Sequence, residues 1–278
     1  MPPTTEPPIP PAPPPGAEPP RAPLLDGLRF AFGTLTALPV RVARWDRQAA
    51  RVGMLCAPVA GLVIGLFAAA VGGALLLCGG GPLLAAVATV AVPAALTRGL
   101  HLDGLADTAD GLGSAKPAPE ALRVMKQSDI GPFGVLTLFF VLFAQVAVMY
   151  ELYEQSWARG ALAIALAVTL SRGALTLASR AGVPAARPEG LGAAVAEVLT
   201  VRSALIAAAL AVAAGAASGA LLGPYGALHA GLAALAALGV AELLLRHCRK
   251  RFGGVTGDVF GALAETAATA ALVTLALG

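Results

Sequence analysis

Charge is what this chain has least of. Asp, Glu, Lys and Arg together make up 13% of its 278 residues, against roughly a quarter in a soluble domain whose surface must be solvated. Too few charged groups are present to coat a water-facing surface, which excludes an ordinary soluble fold. The net charge of +3 with His neutral is too slight to suggest a nucleic-acid partner, whose binding domains are strongly basic. Cysteine is scarce as well. Cys56, Cys78 and Cys248 have no CxxC or CxxH spacing, so they offer neither a disulfide framework nor a zinc site. Period-2 alternation is missing from the apolar stretches, which argues against a transmembrane barrel.

What is present is hydrophobic bulk: 57% of the residues and a mean hydropathy of +0.78. Much of it falls in uninterrupted runs of about 20 residues, enough to cross a bilayer as helices. Inside lipid the backbone must satisfy its own hydrogen bonds, and helices do so. The expected fold is therefore all-α, a polytopic membrane bundle in contact with the lipid bilayer. Residues 1–23 stand apart. PPIPPAPPPGAEPP cannot form a helix and has little to bury, so a disordered tail leaning to polyproline II is expected. It lacks the basic start and apolar centre of a signal peptide.

Residues 24–278 read as one membrane-embedded catalytic domain. The stretch 24–40, interrupted by Arg29, predicts a short interfacial or half-inserted helix. About seven crossings follow, near 53–78, 82–100, 131–150, 160–179, 203–222, 225–245 and 258–277. Basic residues alternate between their connections. Arg41, Arg44, Arg47 and Arg51 precede the first crossing, and Arg98, Lys116, Arg123 and Lys126 follow the second. Arg180, Arg187 and Arg202 form the next group, and Arg246, Arg249, Lys250 and Arg251 precede the last crossing. The intervening connections are uncharged or acidic apart from Arg159. By the positive-inside rule the N-terminus is cytoplasmic, the C-terminus lies on the far side, and the motifs below face the cytoplasm.

Carboxylates are costly near lipid, so each one asks for a reason. In HLDGLADTADG, residues 101–111, Asp103, Asp107 and Asp110 stand at i, i+4 and i+7. At 100° per residue they fall within about 60° of one another on a helix. Three such charges repel unless they are protonated or a cation neutralises them. Oxygen-only ligands favour Mg²⁺ or Mn²⁺, which commonly joins carboxylates to substrate phosphates. Gly104 and Gly111 in the same string would let a bulky headgroup approach the backbone. Asp258 and Glu265 form a second pair at i, i+7 in an otherwise uncharged run, expected to face the same polar cavity and share one or two metals. The metal candidates are thus Asp103, Asp107, Asp110, Asp258 and Glu265. GGVTGD at 253–258 offers backbone amides, Gly257 among them, to phosphate oxygens. Lys126, Asp129 and Arg172 are further substrate-binding candidates, Arg98 a phosphate ligand and catalytic candidate, and His101 a candidate base.

HLDGLADTADG followed by MKQSDIGPFG at 125–134 resembles the cobalamin synthase family, the adenosylcobinamide-GDP ribazoletransferases. TALPV at 36–40, PVAGLVIG at 58–65, SRG at 171–173, EGLG at 189–192 and GGVTGDVFGALAE at 253–265 extend the resemblance over nearly everything after the tail. The chain departs from the family's usual residues at Ala37, where Arg is usual, at Ala57, where Phe is usual, and at Gln127, where Asp is usual. The resemblance implies Mg²⁺ as cofactor and the bacterial cytoplasmic (inner) membrane as location. It implies the substrates too: adenosylcobinamide-GDP and α-ribazole, or its 5′-phosphate, joined with release of GMP in the late nucleotide-loop assembly of cobalamin. It leaves open a homo-oligomer or association with other cobalamin-assembly enzymes. Two other readings fit the carboxylates alone. One is a CDP-alcohol phosphotransferase, although Ala115-Lys116 matches that family's motif poorly. The other is an ion-coupled transporter, against which the charged motifs cluster at one face.

Overall fold

The computed structural model describes residues 22–277. The expected tail, but for its last two residues, lies outside them. All regular elements among the described residues are helical: α1 (Leu24–Leu35), α2 (Arg47–Leu77), α3 (Pro82–Leu96), α4 (Leu100–Gly113), α5 (Ala118–Val124) and α6 (Pro132–Gln155) come first. Then follow α7 (Trp157–Ala178), α8 (Leu191–Val195), α9 (Val201–Gly219), α10 (Pro224–Phe252) and α11 (Gly257–Ala276).

Six of these are long and apolar enough to cross a membrane alone: α2, α6, α7, α10, α11, and α9 with the 3₁₀ turn that extends it to Leu222. α3 and α4 qualify only as a pair, and that pair is bent by 87°. With it the crossings reach seven, as the hydropathy predicts. The break corrects the single crossing expected over 82–100. α3 contains Pro93, which removes a helix hydrogen bond, and Thr97 turns its hydroxyl back onto the Pro93 carbonyl at 2.8 Å. Arg98 and Gly99 then follow at φ 54° and 72°, successive left-handed residues that reverse the chain. Fifteen residues of α3 rise only about 22 Å, less than the ~30 Å hydrocarbon layer. The acidic motif therefore starts its own helix at the end of a short one.

Lipid-soluble helices gain little from hiding apolar surface, so they associate through close packing at small residues. α2 and α7 meet in this way: a methyl group on Gly61 would lie 2.5 Å from the Val168 carbonyl, and one on Gly65 2.8 Å from the Ala165 Cα. α7 becomes the central helix, its Arg172 and Leu175 at most 2% exposed. Phe139, Phe140 and Phe143 of α6 point outward instead, as lipid-facing side chains should. α1 packs on the start of α2 through Gly27 against Val52 and Phe30 against Gly53.

Hydrogen bonds tie the long connections together at one end of the bundle. Arg47 donates to the Ala196 carbonyl at 3.1 Å, and Arg187 to that of Leu122 at 2.6 Å. Bridges pair Arg180 with Leu199 and Ala185 with Val255. The groups of basic residues that the alternation assigns to one face lie in these connections or on the helix ends beside them. At the other end the Tyr153 and Thr89 hydroxyls bond at 2.9 Å.

Candidate active site

α4 crosses α11 with backbone against backbone. A methyl group on Gly104 would stand 2.6 Å from the Asp258 carbonyl oxygen, and one on Gly261 2.9 Å from that of His101. Gly104 thus admits another helix, and Gly111 faces Met125 and Phe252; neither opens the backbone to a headgroup. The crossing brings the first turn of α11 beside the acidic face of α4. Asp107 feels the negative charges of Asp103, Asp258 and Asp110 and the positive charge of Arg187. Asp258 accepts from Arg187 Nη1 at 3.3 Å and from the Thr256 hydroxyl at 3.1 Å. That same hydroxyl accepts from the Val259 amide, capping α11 in the manner usual for Thr.

Two cavities meet over this crossing. One, of about 470 Å³, has apolar walls that include Leu35, Met54, Leu175, Val195 and Phe260, with Asp103, Asp258, Lys126 and Arg187 among its polar groups. His101 and Gly257 also line it. The other, of about 750 Å³, is bordered by Arg98, Asp103, Asp107, Gln127, Ser128 and Asp129. Thr34, Leu100 and Asp103 belong to both. Lys126 reaches across the connections to Glu189 at 2.7 Å, and this ammonium holds the Glu189 carboxyl below the usual carboxylate range.

Three of the expected site residues lie elsewhere. Asp110 is turned from the stripe to the start of α6, where its carboxylate oxygens accept the Gly131 amide at 2.8 Å and the Gly134 amide at 3.0 Å. A carboxylate there satisfies two orphan N–H groups and the helix dipole. Asp110→Asn loses part of that cap. Its melting temperature should fall by about 2–4 °C, for roughly 1 kcal/mol in a chain this size, and a melting curve beside the wild type checks this.

Glu265 and Arg172 are buried in the bundle. Gln145 donates to Glu265 Oε2 at 3.2 Å and to Thr269 at 3.0 Å. Arg172 contacts the Ser171 hydroxyl at 2.7 Å and His101 Nδ1 at 3.2 Å, and its charge attracts that of Glu265. Two helical turns set Glu265 about 10 Å from Asp258 along α11, so the pair does not share one cavity. Arg172 lies on the central helix and lines neither cavity. His101 also changes role. A guanidinium can only donate, so Nδ1 accepts and the ring carries its hydrogen on Nε2. It offers the cavity a donor rather than a base.

The structure therefore gathers Arg98, Asp103, Asp107 and Asp129 at the polar cavity, and His101, Asp103, Lys126, Gly257 and Asp258 at the apolar one. The sequence does not single out Arg187 as a site residue: its spacing makes it a topology signal, and its place in RPEGLG, two residues before Glu189, is the hint it offers. Among the described residues no group of three or more His, Cys, Asp or Glu side chains stands ready to hold a metal ion. A Mg²⁺ carried on one or two carboxylates with water and substrate phosphates needs no such cage. Among Asp103, Asp107 and Asp258, all oxygen donors, one or two would serve a site of that kind.

The model of the family described as cobalamin-5-phosphate synthase matches residues 27–276. A protein of Frankia casuarinae named adenosylcobinamide-GDP ribazoletransferase is 44% identical over 263 residues, 90% of this chain and 94% of that one. Proteins of the same name from Nocardioides sp. and Stutzerimonas stutzeri are each 41% identical, over 89% and 92% of this chain and 97% and 98% of theirs. No solved structure matches.

Proposed function

The chain belongs to the cobalamin-5-phosphate synthase family, and on that premise we propose that it joins adenosylcobinamide-GDP to α-ribazole, or to its 5′-phosphate, with release of GMP. The observation that carries the reading is the meeting of two cavities at Asp103, beneath the basic connections. Condensing two substrates needs two seats that open onto one point. A product that keeps a 5-phosphate means that the attacking oxygen is a ribose hydroxyl other than the 5′ one. This oxygen bonds to the phosphorus on the cobinamide side, and the phosphoanhydride bond to GMP breaks, GMP leaving with the bonding electrons. Arg98, brought to the cavity by the left-handed turn, suits bidentate contact with the diphosphate. Gly257, at the first turn of α11, presents an amide end favourable to anions. His101 Nε2 donates, and a carboxylate oxygen of Asp103 takes the hydroxyl proton. Asp103, Asp107 and Asp258 would hold Mg²⁺, which supplies charge neutralisation on the diphosphate when bound. Asp129 stands in the same cavity as Gln127, supplying the carboxylate that this loop lacks at 127.

Collection of the Arg- and Lys-rich connections at the site end supports a cytoplasm-facing active site in the bacterial inner membrane. Detergent-solubilised protein with adenosylcobinamide-GDP, α-ribazole and Mg²⁺ should yield GMP and a completed corrinoid, resolved by chromatography. Chelation should stop the reaction, and Mg²⁺ or Mn²⁺ should restore it. Absence of any corrinoid product, with CMP released from CDP-diacylglycerol instead, would overturn the reading.

A further inference from the structure

We propose that the apolar cavity seats the base of the acceptor nucleoside, with the ribose turned toward Asp103, while the polar cavity takes the nucleotide end of the corrinoid donor. This rests on the transferase reading above. Polarity makes the assignment. The base of α-ribazole is a methylated benzimidazole, with almost nothing to hydrogen-bond, and it gains by leaving water for the walls of Leu35, Met54, Leu175, Val195 and Phe260. Guanine has donors and acceptors along its edges, and each one left unpaired among such side chains costs free energy. The polar cavity answers those edges with Gln127, Ser128 and Asp129.

Size agrees. About 470 Å³ lies within the range of about 300–1,000 Å³ usual for small-molecule sites. A nucleoside fits it and a corrin ring does not, so the ring lies over the open side of the site. The rim agrees as well. Lys126 and Arg187 line the same cavity as the apolar walls, where cations suit a 5′-phosphate. An acceptor held with its base inward and its 5′ group at that rim has its ring hydroxyls between the two ends, facing the junction. Thr34, Leu100 and Asp103 are walls common to both cavities. A hydroxyl from one side and a phosphorus from the other meet there within the ~3–3.5 Å that displacement requires.

Val195, in the short α8, is a buried apolar wall of this cavity. Val195→Phe should raise KM for α-ribazole at least tenfold and leave kcat and KM for adenosylcobinamide-GDP within twofold. Equal rises in both KM values, or no change in either in a protein that melts like wild type, would overturn the assignment. Met54→Ala enlarges the same wall and serves if Val195→Phe fails to fold. It should shift preference toward an α-riboside of the bulkier naphthimidazole, and an unchanged preference counts against the cavity. Fluorescence titration of the protein with free α-ribazole separates this proposal from its premise. A wild-type protein that turns nothing over defeats the transferase reading. Binding of α-ribazole that Val195→Phe weakens tenfold would still place the base, and binding indifferent to it would not.

Discussion

Asp103→Asn should lower turnover roughly a thousandfold, about 4 kcal/mol of transition-state stabilisation, in a protein that melts like wild type. Asp103 is the carboxylate common to both cavities and stands exposed on the first turn of α4. An exposed substitution of this kind changes stability by about 0.5 kcal/mol at most, and removing one of several crowded negative charges costs the fold nothing. Catalysis loses more, because Asn neither carries charge to a divalent cation nor takes a proton. The decisive measurements are kcat at saturating substrates and a melting curve on one preparation. Ordinary turnover by a well-folded variant would sink both the metal role and the proton role of Asp103. Asp107→Asn should behave in the same way with respect to Mg²⁺, and it leaves the apolar cavity, which Asp107 does not line, unaffected.

Gly104→Val should act through geometry rather than charge. The added carbons collide with the Asp258 backbone, since even a Cβ would be 2.9 Å from its Cα, and backbone cannot swing aside as a side chain can. Overpacking costs about 1–3 kcal/mol. The larger effect is on function, because α4 and α11 carry opposite sides of the carboxylate set. A displacement of about 1 Å between catalytic groups costs on the order of a hundredfold in rate. Gly104→Ala should fall between wild type and Gly104→Val in both melting temperature and kcat. If activity in Gly104→Val survived at the wild-type level, the close crossing would not be what sets the site.

The crossings were legible because lipid imposes long apolar runs on any helix that spans it. The alternation of arginines and lysines by connection was legible for the same reason. Asp103, Asp107, Asp110, Asp258 and Glu265 stand out in the sequence because uncompensated carboxylates are rare in such runs. Periodicity alone does not say what arrives to face a side chain, and the misplacements follow from that. Asp110 shares the stripe of Asp103 and Asp107, but the amides at the start of α6 lie against it. Asp258 and Glu265 share a helical face, but two turns of rise separate the rim from the interior. Arg172 interrupts an apolar helix conspicuously and belongs to the interior; Arg187 sits in an ordinary-looking connection and reaches Asp258. The break after α3 was hidden because a proline and a glycine in an apolar run are compatible with a kinked crossing as well as with an ended one.

The interior pair of Arg172 and Glu265 has a consequence for how sequences of this kind diverge. The two are not in ion-pair contact, yet each feels the other's charge through the interior, so removing one leaves the other less well compensated where buried charge is costly. Replacing both by apolar groups of similar volume can be neutral or favourable. Single steps at either position are therefore the unfavourable ones. A homologous chain that lacks the arginine on this central helix should also lack the acid on the last one, and the two should be gained or lost together.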